Sequence, residues 1–303
     1  STKKYKEKVS VIKGKLVWAG ETENNTEYKW FSEVTDGATK KSESVRSEWK
    51  EKIAEEVEGV PVPKGFTYKE GTKDTGLVIK DDNGNEFVWV PATESTYRKD
   101  TSFPGVTPTR DDTLPNGIKD ETADVVKYGG FYIGRYEAGI PEGDTSPSNK
   151  IGIPVSKKDA TVWTNINYTN AKASAENMIS NEYVQTGLLT GKAWDTVCHW
   201  IKSDDELKDS RTYGNYNNSL APANENSGTK RTAGFNENWK VKNIYDLAGN
   251  VWEWTSEAYS SISISRGGSY DYGGSDFPVS CRDRDSASGA NGVTGFRLRL
   301  YIK

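Results

Sequence analysis

Between Gly76 and Ala92 two apolar runs, Leu77-Val78-Ile79 and Phe87-Val88-Trp89-Val90, flank the polar stretch "KDDNGNE". Apolar, turn and apolar segments in that order predict a β-hairpin about an Asn-Gly turn. The acidic turn lacks the length and the distal Glu of an EF-hand loop. "GGFYIGRYEAGI" gives a further strand, and the Pro-, Thr- and Gly-rich "TSFPGVTPTRDDTLPNG" a loop. Two helices follow. "TNAKASAENMIS" opens on capping candidates Thr169 or Asn170. "TGKAWDTVCHWI" starts at Thr190 and sets Trp194, Val197, Cys198 and Ile201 at i, i+3, i+4 and i+7 of one face. Cys198 therefore reads as a core filler, and His199, one position on, as surface or edge.

Toward the N-terminus, "KLVWAG" and "EYKWFSEV" are strand-like. In "SESVRSEWKEKIAEEVEG", Val45, Trp49 and Ile53 form one apolar stripe, predicting a helix that packs on its own domain and ends at Gly59 and the stiff "VPVPKG". The pattern divides the chain into an accessory region at 1–60, a linker and hairpin entry at 61–85, and a main domain at 86–303. Residues 203–240 are dense in Asn, Ser, Gly and Asp; so long an irregular segment is expected to be functional or ordered by a ligand or ion.

Composition narrows the function classes. The 303 residues suffice for one large domain and a smaller part, and ten Trp with sixteen Tyr can fill a core where aliphatic residues are scarce. A net charge of −4 with both signs interspersed argues against a nucleic-acid or anionic-membrane partner. No apolar run approaches the roughly 18 residues of a membrane span. No secretory leader is present, but the chain begins at Ser1, so this says little about compartment. Two Cys make no disulfide framework, and a single His excludes a three-His zinc site or a two-His iron triad.

The most specific stretch is "NIYDLAGNVWEWTSE", residues 243–257. On a strand, Trp252 and Trp254 share one face while Val251, Glu253 and Thr255 share the other. Asn250 and Glu253 beside the turn are candidate ligands for a structural calcium ion. The alternative is a hydrogen-bonded carboxylate that fixes the turn without metal, and the sequence leaves both open. No other cofactor is required.

"YDLAGNVWEWTSE", then "SRGGSY", then "GFRLRL", together resemble the signature of the sulfatase-modifying, or formylglycine-generating, enzyme superfamily. "NEFVWVPA", "GIPVSKKDATVWTNINYTNAKASAENM" and "GLLTGKAWDTVCHWI" resemble further landmarks of that family in the expected order. The resemblance covers residues 86 to 300 and implies an α+β, C-type-lectin-type fold. Formylglycine-generating enzymes use two Cys soon after the "GGS" motif. Counted from Gly267-Gly268-Ser269-Tyr270, those positions hold Tyr272 and Phe277, and Cys281 lies beyond them without a nearby partner thiol. Ergothioneine-type relatives need a His-rich iron site that one His cannot build. The expectation is a chain that is not an enzyme.

Lys, Glu, Gln, Met and Trp make up roughly a quarter of the chain before Ala258, yet none occurs from Ala258 to Ile302. The same fold serves the variable proteins of diversity-generating retroelements. There, adenine mutagenesis turns AAY codons into NNY, which cannot encode those five residues. A Gly/Ser-rich loop of a degenerate enzyme relative is the plainer reading, since that segment is rich in Gly, Ser and Arg in ordinary members too. The resemblance favours diversification of 258–296, with Gly267, Gly268, Gly295, Phe296 and Arg297 as fixed scaffold. Tyr259, Tyr270, Asp271, Tyr272, Asp276, Phe277, Cys281, Asp283, Arg284 and Asp285 are then the candidate ligand-binding positions, a paratope-like mixture of aromatic anchors and adaptable hydrogen bonders. The implied function is receptor-type binding of a host or cell-surface protein or glycan, outside the cell, on a bacterial surface or a phage particle. The rival is a metal-dependent oxygenase of the superfamily, or a catalytically dead relative with a structural role.

Overall fold

In the computed structural model the described residues are 9–12, 15–18, 51–110 and 113–303. Strands β1 (Val9–Ile12) and β2 (Lys15–Trp18) pair antiparallel, as the apolar "KLVW" suggested. "EYKWFSEV", Val45 and Trp49 lie outside the described residues.

Ile53, expected on a helix, instead opens strand β3 (Ile53–Val57), which pairs with β4 (Val60–Pro63). Glu58 and Gly59 between them have φ of 51° and 74°. Two consecutive left-handed residues make the hairpin turn that matches strand twist, so Gly59 closes a hairpin and not a helix. Val60 and Val62 are fully buried. Nor is 61–85 a linker, because β5 (Phe66–Glu70) and β6 (Val78–Asp81) are strands of the main sheet.

That sheet continues through β7 (Glu86–Pro91), β8 (Gly130–Gly134), β9 (Val184–Leu188) and β16 (Leu298–Ile302), in the order β5-β6-β7-β8-β16-β9, each pair antiparallel. The hairpin of β6 and β7 forms as read, with Gly84 at φ 82° in its turn. Phe87 and Trp89 face one core with Ile79 and Tyr132, while Val88 and Val90 face a second with Val78 and Ile133. Both faces are covered, which is why the run reads as continuously apolar.

Helix α1 (Glu121–Tyr128) carries no strong periodicity and is unexpected; Asp120 caps it by accepting from Thr122 N and Ala123 N, and Gly129 in the left-handed region ends it. Helix α2 (Tyr168–Met178) is capped by Asn167, so Thr169 and Asn170 fall in its first turn. Helix α3 (Gly191–Ile201) starts after Thr190 as expected and buries Trp194, Val197, Cys198 and Ile201; His199 is exposed.

After the short hairpin β10 (Lys240–Val241) and β11 (Ile244–Tyr245) comes a four-stranded sheet. It runs β14 (Arg282–Ser286), β13 (Ile262–Arg266), β12 (Trp252–Tyr259), β15 (Thr294–Phe296), with only β12 and β15 parallel. The segment from Gly267 to Val293 is therefore tied at one end to β13 and at the other, through β15, to the interior strand β16.

Candidate ligand-binding surface

The turn before β12 is built around close backbone approach. A Cβ on Gly249 would lie 2.1 Å from the Asn215 carbonyl oxygen, so only glycine fits there. Asn250, at φ 58°, accepts through Oδ1 from Asn215 Nδ2 (3.0 Å) and Arg231 N (3.0 Å), and donates from Nδ2 to Glu137 (2.5 Å). Its backbone oxygen accepts from Tyr270 N. Glu253 receives both Nε (3.0 Å to Oε2) and Nη2 (2.7 Å to Oε1) of Arg297. The oxygens of Asn250 and Glu253 thus face N–H donors, and these two residues do not fit a calcium ion. A guanidinium holds the Glu253 carboxylate by charge-assisted hydrogen bonds to both oxygens.

Asp246 and Glu137 are buried near the same Arg297. Burial, then the carboxylates of Asp246 and Glu253, hold Glu137 well above the ordinary range; burial raises Asp246 to about 7. Asp246 Oδ2 accepts from Gly234 N (2.6 Å), while Oδ1 is buried and without a hydrogen-bond partner. Three carboxylates around one guanidinium leave an excess of negative charge in a dry place, which favours a retained proton.

Across the β12–β13 pairing from Glu253, four charged side chains, each at most 1 % exposed, close a ring. Arg266 bridges Asp195 (2.6 Å) and Glu257 (3.0 Å), and Arg282 contacts the same two carboxylates. Arg266 also donates to the carbonyls of Ser280 and Cys281. This ring, which ties α3, β12, β13 and β14 together, was not read from the sequence. The available signal was an Asp beside Trp194 on the apolar stripe of a helix, where a charge demands a partner.

Pairing across the sheet sorts the candidate binding residues. Trp254 lies opposite Ser265, and Ser265 opposite Asp283; Ser263 lies opposite Asp285. Asp283 and Asp285 therefore project from the face that carries Trp252 and Trp254. On Trp252 rest Tyr272 and Phe277, with centroids at 6.1 and 5.8 Å, and the latter two rings meet edge to face at 4.9 Å. Tyr272 is 39 % exposed, Phe277 is half-buried, and Asp271 and Asp276 flank them in solvent. Tyr270 is half-buried next to its backbone bond to Asn250.

Three candidates fall elsewhere. Arg284 projects from the other face and lies over the Tyr259 ring, 5.7 Å from its centroid, so these two form a separate group. Cys281 is only 4 % exposed, and burial pushes its thiol up to about 11, so it is a core position and not a contact residue. Cys198 is buried as well, its thiol raised to about 12 by burial.

The irregular stretch 203–240 is ordered by protein groups. Asn217 Nδ2 donates to the Asp271 carbonyl (2.7 Å) and Asn218 Oδ1 accepts from Gly274 N (2.9 Å), so two side chains hold the backbone beneath Tyr272. Gly268 closes the loop from below: a Cβ there would sit 2.4 Å from the Phe277 carbonyl oxygen.

Residues 79–300 match the family model of the sulfatase-modifying factor enzyme 1-like domain. No curated protein sequence matches the chain. Among solved structures, Treponema denticola variable protein 1 aligns at 15 % identity with a TM-score of 0.42, covering 78 % of this chain and 99 % of that one. PvdO from Pseudomonas aeruginosa aligns at 15 % identity and 0.40, covering 77 % and 100 %. CarF aligns at 16 % identity and 0.37, covering 68 % and 99 %. With most of its length within that domain, the chain belongs to the sulfatase-modifying factor enzyme 1-like family and has its α+β, C-type-lectin-type fold.

Proposed function

We propose that this chain is a receptor-type binding protein whose C-terminal face is diversified by a retroelement. One observation carries the reading: between Arg266 and Thr294 buried anchors are interspersed with exposed and half-buried groups. Ser269, Ser280, Cys281 and Arg282 are buried, while Asp271, Tyr272, Asp276 and Arg284 stand in solvent on a backbone held by other residues. Such a segment tolerates change at its displayed positions because folding does not depend on them. The positions that the resemblance assigns to the enzymes' thiols hold Tyr272 and Phe277, whose rings meet edge to face. The chain's two thiols are buried and raised, which disfavours the thiolate an oxidase would need.

Binding by such a face is reversible, with rigid Tyr and Phe rings as anchors and carboxylates as adaptable contacts. Display in many copies, on a cell or a phage particle, would make a modest single-site affinity sufficient. The deciding experiment is to sequence the 3′ end of the gene across many cells of the source population. Substitutions concentrated in the codons of Asp271, Tyr272, Asp276, Phe277, Asp283 and Asp285 are expected, with those of Arg266, Gly268, Arg282 and Phe296 constant. Uniformly low variation would remove the reading and direct attention to metal content and oxygenase assays.

A further inference from the structure

The aromatic platform of Tyr272 and Phe277 is open to solvent at Tyr272, and the charges around it are of one sign. Tyr272 and Phe277 stand on Trp252, Asp283 and Asp285 project from the same face of the sheet, and the exposed Asp271 and Asp276 each adjoin one of the two rings in sequence. None of the four makes an ion pair within 4 Å among the described residues, although Arg211 lies close enough to Asp276 to interact with its charge. Asp271 accepts from Ser269 Oγ (2.6 Å) and Asp283 from the adjacent Arg284 N (2.8 Å). Asp285 accepts from Ser286 N (2.7 Å) and Asn291 Nδ2 (3.0 Å). Asp276 has no hydrogen bond to its carboxylate among the described residues.

The cations nearby are committed elsewhere. Arg266 and Arg282 belong to the buried ring, and Arg284 lies on the reverse face over Tyr259. Arg211, next to Asp276, is held by Asp209 through Nε (2.9 Å) and Nη2 (2.6 Å). Lys230 is exposed, and its ammonium donates to Thr164 Oγ1 (2.9 Å) and the Gly292 carbonyl (3.2 Å).

Resting on the ligand-binding reading above, we propose that this face recognises a polypeptide segment bearing Lys or Arg side chains. An aromatic ring face attracts a cation within about 6 Å of its centroid, and Tyr272 is the ring that solvent reaches. A guanidinium or ammonium laid on Tyr272 has a carboxylate on either side in sequence, Asp271 and Asp276. Asp283 and Asp285 are two residues apart on one strand, about 6–7 Å, the spacing of same-side residues in an extended peptide. A polyanion is repelled by the same four charges.

The test uses fluorescent ten-residue peptides with alternating Arg and Ser, alternating Glu and Ser, or Gly, Ser and Thr only, titrated with the full chain by anisotropy. The Arg peptide is expected to bind, and both Y272A and D276N/D283N/D285N to weaken it about tenfold or more at unchanged melting temperature. E55Q/E56Q, which removes exposed charges on β3, is expected to leave it unchanged. Equal loss with E55Q/E56Q, or no loss with Y272A, would mean diffuse charge attraction and overturn the proposal. In parallel, a random-peptide phage library is panned on the chain and counter-selected on Y272A. Enrichment of Lys- and Arg-bearing peptides supports the proposal. Enrichment of acidic or uncharged peptides overturns the basic partner while leaving the binding face intact. The absence of any Tyr272-dependent binder would sink both.

Discussion

Asp246 shows how one buried side chain sets a property of the whole protein. Its folded pKa of about 7 lies above the roughly 3.9 of an exposed Asp, so the folded state keeps a proton that the unfolded chain releases between those values. Stability therefore falls as pH rises from about 4 to about 7, on the order of a few kcal/mol for this group. Asp246→Asn removes the titrating group while keeping an oxygen for Gly234 N. The variant is expected to melt higher than wild type at pH 8 and to show a shallower dependence of melting temperature between pH 4 and 7. Some slope remains, because Glu137 and Glu253 are raised too. A wild-type slope left intact in the variant would place the proton on one of those two. None of this was legible in the sequence, where Asp246 is an unremarked member of "YDLAGN": its burial depends on Gly234 and Arg297, distant in the chain.

Strand β14 carries two kinds of charge within five residues. Arg282 is an internal strut, whereas at this sheet edge Arg284 is exposed and Asp283 and Asp285 are half-buried. The outward amides of that edge are already occupied, Arg282 N by the Pro104 carbonyl, Arg284 N by Asp283 Oδ1 and Ser286 N by Asp285 Oδ1. Asp195→Asn, which leaves the two ring arginines facing a single full carboxylate, is expected to cost about 3–5 kcal/mol in urea unfolding. D283S/R284S/D285S is expected to stay within about 0.5 kcal/mol of wild type, as Ser hydroxyls can still cover the edge. Comparable losses in the two variants would show that the displayed positions are structural after all. The sequence revealed the hairpin of β6 and β7, the start and buried face of α3, and the aromatic face of β12, because each is written in local periodicity. It misplaced β3, since Ile53 fits a helical stripe with Val45 and Trp49 as well as the strand it forms. It also grouped Arg284 with Asp283, because only the pairing with β13 tells which side of the sheet each one faces.

At the scale of the molecule the two sheets share one covalent thread. β15 lies in the smaller sheet, and two residues later β16 enters the larger one between β8 and β9. Leu298, Leu300 and Ile302 all reach the core there, and Lys303 N still donates to the Tyr183 carbonyl. Removing residues 298–303 is expected to abolish the cooperative melting transition, followed by circular dichroism, and not merely to lower it. A truncated chain that still melts cooperatively would mean that β8 and β9 can pair without it. Under the diversification proposed above, the interior position of β16 has a further consequence. A frameshift or premature stop between Gly267 and Val293 removes β16, so the product is expected to lose its fold and to be open to proteolysis. On that proposal, only copies with an intact reading frame would fold, and an interior strand encoded downstream of the varied codons would proofread them.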